Sequence, residues 1–172
     1  RISQSYVNHK CKIITSQLGL SFEYDSRCAD AWMYGTQDAA FPFSNSKIVD
    51  ITTDLRPRSC EIPGFGDTIT GTRVVEEGIK PVSPSGVIYD LGREAVGFIC
   101  LKFNATSQKA ITVAFGEHLV DGHVRRLVGG RDFSFIYHPN VGINYYMNPH
   151  RRFGCRYVEI ISDDPIGEVE IS

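Results

Sequence analysis

Side chains alternate between two faces in several short runs of this chain, and each run is cut by glycine, proline or an Asp-Gly pair before it grows long. In AVGFICLKF, Ile99, Leu101 and Phe103 fall on one face and Phe98 and Cys100 on the other. ITVAF then sets Ile111, Val113 and Phe115 on one face, RDFSFIYH does the same with Phe133, Phe135 and Tyr137, and CRYVEIIS and EVEIS supply two further runs. A period of two is the pattern of a strand with one face on a core. Turn signals at Asp121-Gly122, Gly129-Gly130 and Asp164-Pro165 separate the runs. The predicted class is all-β, an antiparallel β-sandwich of jelly-roll-like form with few or no long helices. The polar stretch NATSQKA between the first two runs predicts that they pair as a β-hairpin.

The first 80 residues are less regular, with short apolar pieces interrupted by Gly35, Pro42, Pro57 and Pro63. DSRCADAWMYG, around Trp32, has the spacing for one or two helical turns. At 172 residues and 42% hydrophobic, the chain suffices for one well-buried core. Residues 1–172 are therefore expected to form one sandwich domain, with 1–80 as irregular strands and loops. A net charge of −2 gives no footprint for nucleic acid or an anionic membrane. The apolar runs are far shorter than a membrane span, and a start at Arg1 without a leader reads as a piece of a longer chain.

Several chemical motifs fail on their own terms. Gly92 and Gly97 have the spacing of a phosphate loop, but Phe98 stands where the lysine should be and a strand follows where a helix should start. Their alternative use is backbone geometry: Gly92 taking a positive φ after VIYDL, Gly97 marking a bulge or a close strand approach. GFGDTITG has Ile69 in place of a third glycine. The five cysteines include no C-x-x-C, which excludes a zinc ribbon, and Cys100 and Cys155 sit in apolar runs as small core residues. His118 and His123 flank Asp121 in a run rich in Gly and Arg, which reads as solvated loop rather than as a metal scaffold. Asn104-Ala-Thr106 has the form of a glycosylation acceptor. No metal or cofactor is expected.

Residues 118–131, HLVDGHVRRLVGGR, join two strand runs with far more residues than a usual hairpin loop. Arg125, Arg126 and Arg131 in it suit carboxylates on a partner, because a guanidinium fork binds a carboxylate through two hydrogen bonds; these are the candidate interdomain contacts. The opposing expectation is a mobile, solvated loop. Trp32, Tyr34, Tyr145 and Tyr146 are candidate sugar-contacting aromatics, which would make the chain a carbohydrate-binding module with carbohydrate as its partner. A third alternative is a small enzyme using strand-end carboxylates, Glu117 and Asp132.

VIYDLGREAVGFICLKFNA, ITVAFGEHLVDG, RDFSFIYH and FGCRYVEI, in this order and spacing, resemble the β-sandwich domain that precedes the catalytic barrel in bacterial α-L-rhamnosidases. The positions that carry the likeness are Tyr89 to Gly92 with Asp90, then Gly97, Gly116 to Leu119 with Glu117, Asp121, Gly122, Asp132, and Arg156 to Val158 with Tyr157. The likeness covers residues 86–161; FEYDSRCADAW and LRPRSCEIP, within 22–63, match more loosely. The resemblance implies a non-catalytic accessory domain of a bacterial glycoside hydrolase that packs against and orients a catalytic (α/α)-barrel on the same polypeptide. It assigns no catalytic residue here, and it leaves the compartment open between periplasmic or secreted and cytoplasmic.

Overall fold

A computed structural model of the chain describes residues 6–7, 13–15, 19–20, 23–27, 59, 66–74, 86–147 and 151–172. In chain order the strands are β1 (Tyr6–Val7), β2 (Ile13–Thr15), β3 (Gly19–Leu20), β4 (Glu23–Asp25), β5 (Thr72–Arg73), β6 (Val87–Gly97), β7 (Cys100–Ala105) and β8 (Ile111–Gly116). They continue as β9 (Leu119–Val120), β10 (His123–Val124), β11 (Leu127–Val128), β12 (Arg131–Asp132), β13 (Ser134–His138), β14 (Gly142–Met147), β15 (Phe153–Ile161) and β16 (Ile166–Ile171). Among the described residues there is no helix. The helix-like stretch around Trp32 lies outside them.

Two sheets form the sandwich. One has seven strands in the order β1-β4-β13-β8-β15-β6-β5, the other three in the order β14-β7-β16. Alternation fills the space between them: Val113 and Phe115 of β8, Phe135 and Tyr137 of β13, Val158 and Ile160 of β15 face Leu101 and Phe103 of β7, Tyr146 of β14 and Ile171 of β16. Rings meet edge-on between the sheets and within one, with Phe103 and Tyr137 centroids 5.3 Å apart across the layer and Phe115 and Phe153 4.7 Å apart on the seven-stranded sheet. The less regular N-terminal part also reaches the core. β4 pairs with β13 in parallel, the exception in an otherwise antiparallel sandwich, and brings Tyr24 within 5.1 Å of the Tyr146 ring.

The expected hairpin between the first two alternating runs is not formed. β7 is bonded to β14 and β16, whereas β8 is bonded to β13 and β15, so NATSQKA is a crossover from one sheet to the other. Both runs face the same core from opposite sides, and an apolar face pointing inward looks alike from either sheet. The crossover is tied to the turn after β15 by Thr106 Oγ1 donating to the Pro165 carbonyl (2.8 Å) and by the Lys109–Asp164 ion pair (2.9 Å).

VIYDLGREAVGFICLKF forms β6, a bend at Phe98-Ile99, and β7. Its one irregularity is a large bulge. Ala95 pairs with Cys155 and Asp90 with Tyr157, so residues 91–94 of β6 stand opposite Arg156 alone. Gly92 takes φ +77° there, as its expected backbone role requires, and its amide donates to Asp90 Oδ1 at 2.7 Å. Gly97 is different. It has no positive φ, nothing lies within 4 Å of where a Cβ would stand, and it pairs in regular register with Phe153, so the bulge expected at Gly97 belongs to 91–94 instead.

Candidate functional site

The run from Glu117 to Asp132 is an ordered arm built of two tight ribbons. β9 pairs with β10 across Asp121-Gly122, both at positive φ (51° and 77°), and β11 pairs with β12 across Gly129-Gly130, again both positive (56° and 78°). Two residues of positive φ give the turn whose twist matches the strands it joins, which is why Asp-Gly and Gly-Gly occupy these sites. Each ribbon is extended by one further rung, Arg125 N donating to the His118 carbonyl (2.9 Å) in the first and Phe133 N donating to the Arg126 carbonyl (2.9 Å) in the second.

The arm lies over the outer face of the seven-stranded sheet. In register across that face run Ser134, Ala114, Glu159 and Ile88, all buried. Glu159 is only 1% exposed, an expensive place for a carboxylate unless donors reach it. Both oxygens meet the arm: Val124 N donates to Oε2, and His123 Nδ1 stands at hydrogen-bond distance from Oε1, each at 2.9 Å. Val124 is buried against Gly116, where a Cβ would stand 3.0 Å from Val124 Cγ1 and 3.3 Å from the Arg125 carbonyl oxygen. His123 is thus a half-buried structural partner and not the solvated loop histidine expected from its neighbours; the group that captures it lies 36 residues along the chain.

The three arginines separate into two roles. Arg126 turns back, its Nη1 donating to Asp132 Oδ1 (3.0 Å), Asp132 Oδ2 (3.1 Å) and Ser134 Oγ (3.2 Å). Arg125 and Arg131 are exposed, and with them Leu127 at 61% and Val128 at 37%. The aromatics separate as well. Tyr145 is exposed on the outer face of β14, whereas Tyr146 points into the core, stacked 5.2 Å from Phe135, because adjacent strand residues face opposite ways. Tyr146 is thereby removed from the set of sugar-contacting candidates. Trp32 and Tyr34 lie outside the described residues.

The remaining motif residues hold strands in place. Asp90 receives a two-pronged ion pair from Arg156 (Nε to Oδ1 and Nη2 to Oδ2, both 2.9 Å), and the guanidinium lies 5.0 Å from the centre of the Tyr157 ring. That hydrogen-bonded guanidinium holds the Asp90 carboxyl below its ordinary value and raises Arg156 in turn. Asp132 is taken up by Arg126 and Ser134, and Glu117 is exposed beside the arm. A cleft of about 330 Å³ opens near the β6–β7 bend, lined by Leu91, Val96, Phe98, Met147 and Phe153 and, as the acidic side chain among the described residues there, Asp67; neither Glu117 nor Asp132 reaches it. The two candidate acids therefore do not share this cleft. Among the described residues no cluster of three metal-ligating side chains occurs. Asn144, which the sequence reading passed over, is buried and gathers Ser26 Oγ (3.2 Å), Tyr137 Oη (3.4 Å) and Asn140 N (2.9 Å) on its Oδ1, tying β4 to the β13–β14 turn.

A family model for the bacterial α-L-rhamnosidase concanavalin-like domain matches residues 80–166. No curated protein matches the chain. Among solved structures, a GH78 family rhamnosidase of Bacillus sp. GL1 is similar at 27% identity over 57% of this chain and 10% of its own, with a TM-score of 0.39. The α-L-rhamnosidase from Dictyoglumus thermophilum is 20% identical over 58% of this chain and 12% of its own (TM-score 0.44), and a rhamnosidase from Klebsiella oxytoca with rhamnose bound is 17% identical over 53% and 21% (TM-score 0.33). The chain thus spans between 10% and 21% of the length of these enzymes. The matched half of the chain contains the Asp90–Arg156 lock, the crossover and the whole clasped arm, and the chain belongs to the family of bacterial α-L-rhamnosidase concanavalin-like domains, as a non-catalytic accessory β domain.

Proposed function

We propose that this domain packs against the catalytic domain of an α-L-rhamnosidase-like glycoside hydrolase, on the same polypeptide, and sets that domain's orientation by docking through the end of the arm. One observation carries the reading: an arm bonded to the sheet through Glu159 carries four exposed side chains near its end, the apolar Leu127 and Val128 and the cationic Arg125 and Arg131. Exposed apolar and cationic side chains on one arm suit a partner surface that offers both apolar area and carboxylates. A surface ordered before docking loses little conformational freedom on docking. Arg126, spent on Asp132, supports the arm from within.

The test is the triple variant Arg125→Ala, Leu127→Ser, Arg131→Ala, made both in the present chain and in the enzyme that carries it. The melting temperature of the chain alone should stay within a degree or two, since all three side chains are exposed. In the enzyme, the interdomain contact should weaken by about 2 kcal/mol, the usual scale for loss of an interface hot spot, and appear as separate melting of the two domains. Unchanged melting and turnover of the enzyme would place the contact elsewhere.

A further inference from the structure

We infer that the carboxylate of Glu159 is the positioning group for docking: it fixes the arm in a single conformation from beneath, although it cannot touch the docked partner. The inference rests on the docking role proposed for the arm. Glu159 sits at the centre of the large sheet, with Ala114 and Ile88 as its cross-strand neighbours. Neither neighbour offers a side-chain donor, so the donors that the buried charge requires come from the arm, one a ring nitrogen and one a backbone amide. With Glu159 ionised and able only to accept, the contact calls for a proton on His123 Nδ1. Two bonds to adjacent residues, one on each oxygen, fix the arm's direction as well as its place. Gly116 completes the seat, because only a residue without a Cβ lets Val124 come so close. Arg125 follows Val124 directly, and so its placement is inherited from Glu159.

Hydrogen exchange of the full 172-residue chain, with Glu159→Ala, Glu159→Gln and His123→Ala, tests this. In Glu159→Ala the amides of Val124, Arg125, Arg126 and Phe133 should exchange at least about tenfold faster, while Leu101 and Phe103 on the opposite sheet keep their rates. Glu159→Gln retains an acceptor for Val124 N and should restore much of the protection. Its amide group, however, removes the obligation on His123, and the imidazole nitrogen shifts should report loss of the Nδ1-protonated tautomer, a signature that packing alone would not produce. Arm protection unchanged in Glu159→Ala, or lost equally over both sheets, would overturn the inference. Should Glu159→Ala not fold, His123→Ala decides: faster exchange confined to the arm supports it, and unaltered exchange overturns it. Carried into the enzyme, the same variants separate the two ideas. A loosened arm with undisturbed docking removes the docking reading, and Glu159's role in it, while unaltered exchange removes only the part given to Glu159.

Discussion

Gly92 and Gly97 share β6, and the backbone treats them differently. At φ +77° an L side chain crowds its own carbonyl, and with nothing else within 4 Å that crowding is the whole effect. Gly92→Ala should destabilise the fold by about 1 kcal/mol. Gly97→Ala, free of both positive φ and neighbours, should stay within about 0.5 kcal/mol of the parent. Urea unfolding of the two variants checks the contrast; equal losses would mean that the bulge is not where the strain lies. At this scale the sequence was informative where chemistry is local. Asp-Gly and a glycine after a strand run name their own φ. Glu159 gave no such signal, because in CRYVEIIS it reads as an outward, solvated position. Only the arm folded over it, invisible to strand periodicity, makes it buried. The lone hint was an acid flanked by apolar residues on both sides in a strand whose two faces were both apolar.

Among the elements, the β6–β15 pair is the one that needs a lock, because four residues on one strand face one on the other. Asp90 and Arg156 span that mismatch. The Asp90 carboxyl is held below 3.8 chiefly by the Arg156 hydrogen bonds, with the Gly92 amide adding to them. A folded value below the unfolded one means that folding favours the ionised form. The stability so gained is complete above the unfolded value and is lost as pH falls through the folded one. Both side chains are partly exposed, so the gain is modest. Asp90→Asn should therefore lower the urea midpoint at neutral pH and leave less difference between variant and parent at about pH 3. A gap that persists undiminished in acid would assign the effect to packing. Sequence periodicity found the strands of this region but not their partners. The Asp90–Arg156 pairing was visible only as two separated pieces of a family pattern, and the sheet to which β7 belongs was not visible at all. Alternation records burial, while register and sheet membership are decided by contacts far apart in the chain. The arm shows the same limit, since strands of two residues are too short to carry a period.

For the molecule as a whole, Cys155 offers a reporter. It lies in the core at 2% exposure, and burial pushes its thiol up to about 12. At pH 8 only about one molecule in ten thousand would carry the reactive thiolate even with access. Alkylation of Cys155 should then follow cooperative unfolding in a denaturant series, whereas half-buried Cys100 should label earlier. Mass-spectrometric mapping reads both sites in one experiment. Labelling of Cys155 well below the unfolding midpoint would reveal that the sandwich opens locally along β15.

The place of β15 has a further consequence for how the domain is made. It stands between β8 and β6, yet of the described strands only β16 follows it in the chain. A ribosome delivers β6 and β8 long before the strand that joins them. Until residues 153–161 emerge, β8 and β6 each lack the neighbour that stands between them in the finished sheet, and each leaves that edge open to pairing. An unpaired edge of this kind accepts other alternating apolar segments, β15 of another copy among them.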